Sequence, residues 1–261
     1  MIEIYKNKFE VDVFLLQIIA LATMLIDHIA LAFFDDNFWM RSVGRFAFVI
    51  YAFLIAQTFI CIKNNESKIT KHLKFYMLLA ILSELGYDLM MQYKLDTWEV
   101  IFLNQNVMIT LIIGFLTLYL INELQNKLYS ILVIICSFYL VYLTKSDYGI
   151  SGVMLIVCFY YYLNSYTKIS ALKRLFFLIS IMFSFVIFYH LTIFNSISDL
   201  IASFALYEIT YYPFYFLAPF LLILYNGKLG YKNLYFKNLY RYFYPAHLFL
   251  IGLILFIYDN I

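Results

Sequence analysis

Long apolar stretches alternate with short polar intervals along the whole chain. Nine stretches can be drawn, at residues 13–34, 43–62, 73–91, 100–121, 128–143, 148–163, 175–194, 200–225 and 242–258. A helix needs about 20 apolar residues to cross a hydrocarbon layer of about 30 Å, so those at 128–143 and 148–163 are short for the task. The stretch at 200–225 holds Pro213 and Pro219 and predicts a kinked or broken helix. The pattern predicts an all-α fold: a polytopic integral membrane helix bundle of about nine transmembrane helices, forming one domain over residues 1–261. No internal repeat is visible, although inverted-repeat transporters usually carry one.

Composition sharpens this reading. Hydrophobic residues make up 65% of the 261 and charged residues only 13%, with a mean hydropathy of +0.84. Soluble domains are roughly half apolar and about a quarter charged. The net charge of +2 is uninformative, because topology divides the basic residues. With the N-terminus inside and the sides alternating, 14 of the 18 Lys and Arg fall in inner segments, among them Lys63, Lys68, Lys127, Lys173, Lys228, Lys232, Lys237 and Arg241. Only Arg41, Arg45, Lys94 and Lys145 lie outside. No basic run is interleaved with aromatics in a soluble region, which gives no support to nucleic-acid binding. Cys61, Cys136 and Cys158 fall in apolar segments without a C-x-x-C pair and are expected to be small buried hydrophobes. No Walker A, dinucleotide-binding, H-E-x-x-H or G-x-S-x-G motif is present, and the four His lack metal spacing.

The polar residues within the apolar stretches carry the candidate chemistry. Asp27 is the only formal charge in residues 13–34 and has His28 beside it. A carboxylate in hydrocarbon costs several kcal/mol unless paired or hydrated. Asp27 lies roughly 10 Å below the outer end of the first helix, at about 1.5 Å per residue. Glu84 and Asn106 fall at similar depth in the third and fourth helices, Glu208 is slightly deeper in the eighth, and His190 is nearer the outer end of the seventh. Arg41 and Arg45 flank the outer start of the second helix, and Asp147 stands at that of the sixth. One shared depth on seven helices predicts a water-accessible cavity open to the outside.

Each feature also has a plainer reading. Asp27-His28 can be a structural polar pair, or a base with its partner, since a neutral imidazole takes a proton near pH 7. Neighbours on a helix point about 100° apart, so Asp27 can instead fix a tautomer through water or pair with an Arg. Arg41 and Arg45, at i and i+4 on one helical face, suit a phosphate, a carboxylate or an oxyanion, or can snorkel and pair with Asp35 and Asp36. Glu84 and Asp88 share a face of the third helix, and Asn106, Thr110 and Gly114 share one on the fourth, where close packing explains the Thr and Gly. Asp147-Tyr148-Gly149 has ordinary turn chemistry. Tyr225-Asn226-Gly227-Lys228 marks an inner turn beside the basic loop 228–241, a candidate phosphate platform. Tyr244-Pro245-x-His247 opens the ninth helix, and His247 can bridge helices.

The ordered set Met24-Leu25-Ile26-Asp27-His28-Ile29, Arg41-Ser42-Val43-Gly44-Arg45-Phe46-Ala47-Phe48, Ser83-Glu84, Asn106-x-x-x-Thr110-x-x-x-Gly114, Asp147-Tyr148-Gly149, Tyr225-Asn226-Gly227-Lys228-x-Gly230 and Tyr244-Pro245-Ala246-His247-Leu248 resembles the TraX family, named for the F-pilin N-acetylase. Ala30 stands where the family pattern has Gly. The family is similar in turn to transmembrane acyltransferases, including sugar O-acetyltransferases and a lysosomal heparan N-acetyltransferase. The resemblance implies His28 as base or acyl acceptor and Arg41 and Arg45 as anion or acyl-donor contacts. It implies cytosolic acetyl-CoA as the donor, no metal, and an extracytoplasmic protein N-terminus or glycan as the acceptor.

The combined expectation is an acetyltransferase of a bacterial cytoplasmic membrane, embedded in the lipid bilayer. Catalysis falls to His28, Asp27 and Glu84. Substrate binding falls to Arg41, Arg45, Asn106, Asp147 and Tyr148. The donor nucleotide falls to Tyr225, Asn226, Lys228, Lys232, Arg241 and His247, with its pantetheine arm threading along the broken eighth helix. A proton-coupled transporter and a non-catalytic membrane assembly factor are the alternatives.

Overall fold

A computed structural model describes residues 10–34, 37–95, 105–193 and 213–259. The described residues are all-α. The helices are α1 (Val13–Phe33), α2 (Phe38–Ile62), α3 (Glu66–Leu95), α4 (Val107–Leu124), α5 (Lys127–Thr144), α6 (Gly149–Ser165), α7 (Ala171–Ile193), the short α8 (Ala218–Leu222) and α9 (Leu234–Asp259). Five of these, α1, α2, α4, α5 and α9, are long and apolar enough to cross a membrane, and α6 is a shorter apolar helix. Glu208, Asp35, Asp36 and residues 96–104 lie outside the described residues, and of His190 only the backbone, within α7, is described.

Asn and Asp side chains set the helix starts. Asp12 caps α1 by accepting from the Leu15 N–H at 2.8 Å. Asn37 does so for α2, Asn106 for α4 and Asn126 for α5. Asn233 accepts from the Tyr235 and Phe236 N–H groups at the start of α9. Such caps satisfy donors that have no partner inside the helix, each contributing about 1 kcal/mol. Two boundaries therefore differ from those expected. α4 starts at Val107 rather than at residue 100, so Asn106 is its cap and not a residue on its face. α9 starts at Leu234 rather than at residue 242, which puts Pro245 inside the helix and Lys237 and Arg241 on it rather than in a loop.

We call the end at which α1 begins the lower end and the end at which it finishes the upper end. α1 and α9 run in parallel, with Phe14 against Phe236 and, further up, His28 against His247. α3 and α9 are also parallel: Phe75 meets Tyr242, and Tyr93 meets Phe256. Gly86 admits this approach, because a Cβ there would stand 2.9 Å from the backbone nitrogen of Phe249. α2 is the central helix, with 72% of its spanning window buried; α5, with 11%, is the peripheral one. Cys136 on α5 and Cys61 on α2 are exposed on the bundle surface, contrary to expectation, because apolar faces in this protein turn outward as well as inward. Past α7, the described chain resumes as a 3-10 turn, Pro213–Leu217, followed by α8 with Pro219 in its first turn. Both pack on α2 and α7. The chain reaches the lower end at Leu224, whose carbonyl accepts from the Val11 N–H at 3.1 Å.

Candidate functional site

A cavity of about 220 Å³ occupies the upper half of the bundle. Asp27 and His28 on α1, Arg41 and Arg45 on α2, Tyr87 on α3, Asp147 and Tyr148 at the start of α6, and Tyr244 on α9 line it. Met24, Phe48, Met91, Met108 and Leu111 supply apolar wall. Five polar residues named from the sequence, Asp27, His28, Arg41, Arg45 and Asp147, together with Tyr148, thus meet in one space.

Close approach of α1 and α2 creates the first constellation. A Cβ at Gly44 would collide with the side chain of Asp27, so only glycine lets the helices meet at that level. Arg41, in the first turn of α2, then reaches the Asp27 carboxylate at 2.8 Å and donates to the Asp27 carbonyl at 3.1 Å. The charges are compensated within the cavity wall, as a low-dielectric setting demands. One turn on, Arg45 donates to the Tyr148 hydroxyl at 3.1 Å, with its guanidinium 5.5 Å from the centre of the Tyr148 ring.

Tyr148 is itself unusual. It has a φ of 61°, in the left-handed region that bulky residues rarely adopt. Three contacts hold it there. Its ring stacks on Phe48 with centroids 3.7 Å apart and planes 5° from parallel. Its hydroxyl accepts from Arg45, and its N–H donates to the Asp147 carboxylate at 2.9 Å. Backbone strain of about 1–3 kcal/mol persists where the surroundings over-determine it, often at functional sites. The Asp147-Tyr148-Gly149 turn is pinned from behind: the Thr110 hydroxyl donates to the Asp147 carbonyl and is hydrogen-bonded to the Ser146 hydroxyl at 2.9 Å. Gln105 pairs with Ser146 beside it.

His28 meets a residue that the sequence reading did not give it. Its Nδ1 lies 2.8 Å from Nε2 of His247 on α9. His247 is buried, and its own Nδ1 faces the Phe243 carbonyl at 2.7 Å. The expected orientation of His28 by Asp27 or Glu84 is therefore not what the contacts provide. Asp27 is taken by Arg41. Glu84 accepts from the Asn106 backbone N–H at 3.1 Å and from its side-chain amide, while Asn106 also donates to the Ala80 carbonyl. That network ties α3 to the start of α4 beside the cavity, where Val107 and Met108 line the wall.

The residues assigned to the donor nucleotide stand apart from this cavity. Tyr225, Asn226 and Lys228 form a turn at the lower end, where Asn226 and Lys228 both engage Glu10. Tyr225 is buried, and its carbonyl accepts from the Tyr166 hydroxyl. Lys232 is exposed. Arg241 lies on α9 over the ring of Phe75, at 5.3 Å from its centre. Val13, which bonds to the Lys228 carbonyl, is about 20 Å from His28 along α1 at 1.5 Å per residue. His247 alone of that group belongs to the upper constellation. Among the described residues, no group of three or more His, Cys, Asp or Glu side chains could hold a metal ion.

Tyr87, Tyr51 and Tyr244 line the cavity without having been singled out as site residues. In a chain with 26 Tyr, residue type alone does not separate them. Tyr87 had a usable signal, since it stands one helical turn beyond Glu84.

No curated protein and no solved structure matches the chain. A family model described as TraX protein matches residues 13–255, from the first residue of α1 into the last turns of α9. The match takes in all the elements that build the cavity, and the chain belongs to the TraX family.

Proposed function

We propose that this TraX-family membrane protein is an acetyltransferase of the bacterial cytoplasmic membrane, a single domain of nine membrane crossings that moves an acetyl group from cytosolic acetyl-CoA to an amine or hydroxyl outside. One observation carries the reading: a histidine able to act as base shares a cavity with two guanidinium groups, one already paired with Asp27 and one aimed across Tyr148. In the proposed step, a ring nitrogen of His28 takes the proton from the acceptor as it attacks the thioester carbonyl. The carbonyl oxygen gains negative charge, which Arg45 stabilises. The intermediate then collapses, the carbon–sulfur bond breaks, and the CoA thiolate takes the proton back from His28. Asp27 keeps Arg41 folded against α1 and balances its charge. Asp147, Tyr148 and Asn106 shape the acceptor side.

The donor nucleotide is proposed to sit at the lower end, near Asn226, Lys228, Lys232 and Arg241. Its extended arm would then run up the bundle past the interrupted segment at Pro213 and Pro219. Positive charge on an accessible turn supports this placement. The deciding experiment is acetyl-CoA hydrolysis and transfer by purified protein in detergent, with a peptide amine and an amino sugar as acceptors and His28→Ala as the control. Turnover that depends on His28 supports the reading. Proton uptake into vesicles without acetyl-CoA turnover would instead assign the same residues to a transporter.

A further inference from the structure

Two histidines at hydrogen-bond distance, His247 buried and His28 half-buried, must share one proton, and the surroundings decide which ring gives it. His247 Nδ1 stands 2.7 Å from the Phe243 carbonyl, a group that can only accept. That nitrogen therefore carries the hydrogen, and in the neutral ring Nε2 carries only a lone pair. Nε2 faces Nδ1 of His28 at 2.8 Å. His28 must then donate from Nδ1, which leaves its own Nε2 without a proton. Every other arrangement either sets two lone pairs or two hydrogens against each other, or adds a positive ring beside the guanidinium groups of Arg41 and Arg45. The ring of Phe243, stacked at 4.9 Å, and that of Tyr244, at 5.7 Å, hold the His247 imidazole in place.

We propose that His247 is a positioning residue that fixes the tautomer of His28, making Nε2 the nitrogen that accepts the proton during acetyl transfer. The inference rests on the acetyltransferase reading for its consequence, but not for its geometry. His247 thus lies outside the cavity lining and still sets which nitrogen reacts. The arrangement also accounts for the position of Asp27: its carboxylate is released from orienting the imidazole and serves Arg41 instead.

The test combines a spectrum with kinetics. In protein carrying 15N-labelled histidine in lipid nanodiscs, solid-state 15N spectra report the protonation of each ring nitrogen, and His28→Gln identifies the His28 signals. The expected result is His28 protonated at Nδ1 and bare at Nε2, with this preference lost in His247→Leu. In acetyl-CoA turnover, His247→Leu is expected to lower kcat by about 10- to 100-fold with KM for the donor within about twofold. His247→Gln, whose amide oxygen can stand where Nε2 stands, should recover most of kcat. A wild-type His28 protonated at Nε2 overturns the proposal. So do equal losses in the Leu and Gln variants with an unchanged His28 tautomer, which would make His247 a packing residue. The expected tautomers in a folded protein that turns over no acetyl-CoA support the assignment of protons and overturn the acetyl-transfer reading alone.

Discussion

At the upper end Arg41 meets Asp27 at 2.8 Å with side chains only 20% and 11% exposed, whereas at the lower end Lys228 meets Glu10 at 3.4 Å with side chains 71% and 46% exposed. The pairings are chemically alike and physically opposite. Water screens the lower pair, so its loss changes little, as for most exposed ion pairs. The upper pair has given up hydration, and removing one partner strands the other in a low dielectric. On the proposed reading, the upper region holds its charges in fixed geometry for chemistry, while the lower one presents exposed, water-screened charge to a soluble ligand.

The largest effect should come from the upper end. His28→Ala is expected to cut acetyl transfer by about 10²–10⁴-fold, the range of a lost general base, while leaving donor binding, measured by equilibrium dialysis, nearly intact. Wild-type turnover in a folded sample would remove the distinction between the two ends. Next is the ion pair itself. Arg41→Gln should destabilise the protein by about 3–5 kcal/mol in denaturant titration, because Asp27 stays buried without its partner, and the double variant with Asp27→Asn should recover much of that loss. A smaller effect is expected for Gly44→Ala. The new methyl group meets the Asp27 side chain, and forcing the helices apart should cost about 1–3 kcal/mol by the same titration. The smallest effect belongs to the lower end: Lys228→Gln should change stability by less than about 1 kcal/mol. Together with Lys232→Gln it should weaken acetyl-CoA binding and flatten its salt dependence. Unchanged binding would move the donor phosphates away from the lower end, with Arg41 and Arg45 the next candidates.

Much of this is readable in the chain itself. The apolar periodicity carried the helical membrane bundle. Of the polar residues grouped by depth, Asp27, Arg41, Arg45 and Asp147 line one cavity, Glu84 and Asn106 pair with each other beside it, and Glu208 and the side chain of His190 lie outside what is described. What it did not carry follows from the kind of signal used. Hydropathy placed the starts of α4 and α9 by where apolar runs begin, but the helices begin where Asn106 and Asn233 cap them. Those caps stand openly in the sequence, and reading them would have put His247 mid-helix rather than near a helix start. That Asp27 could pair with an arginine was readable, but the choice of Arg41 and the pairing of Glu84 with Asn106 were not, because several acids and donors share one depth and only helix rotation chooses among them. The contact of His28 with His247 was hidden for the same reason. Depth gives the height of a residue in the bundle, not the neighbour it faces.

The two histidines that share a proton stand 219 residues apart in the chain, while Arg41 and Asp27 are separated by only 14. Synthesis runs from the N-terminus at about 5–20 residues per second, so roughly 10–40 s pass between the appearance of His28 and that of its partner. α1 and α2 can settle their charges against each other almost at once. The imidazole waits for α9. A nascent chain, or one truncated before α9, has both partners of its ion pair and yet lacks the contact of His28 with His247. The site is complete only once α9 is in place, and on the proposed reading a fragment ending before α9 should insert and fold in part without turning over acetyl-CoA.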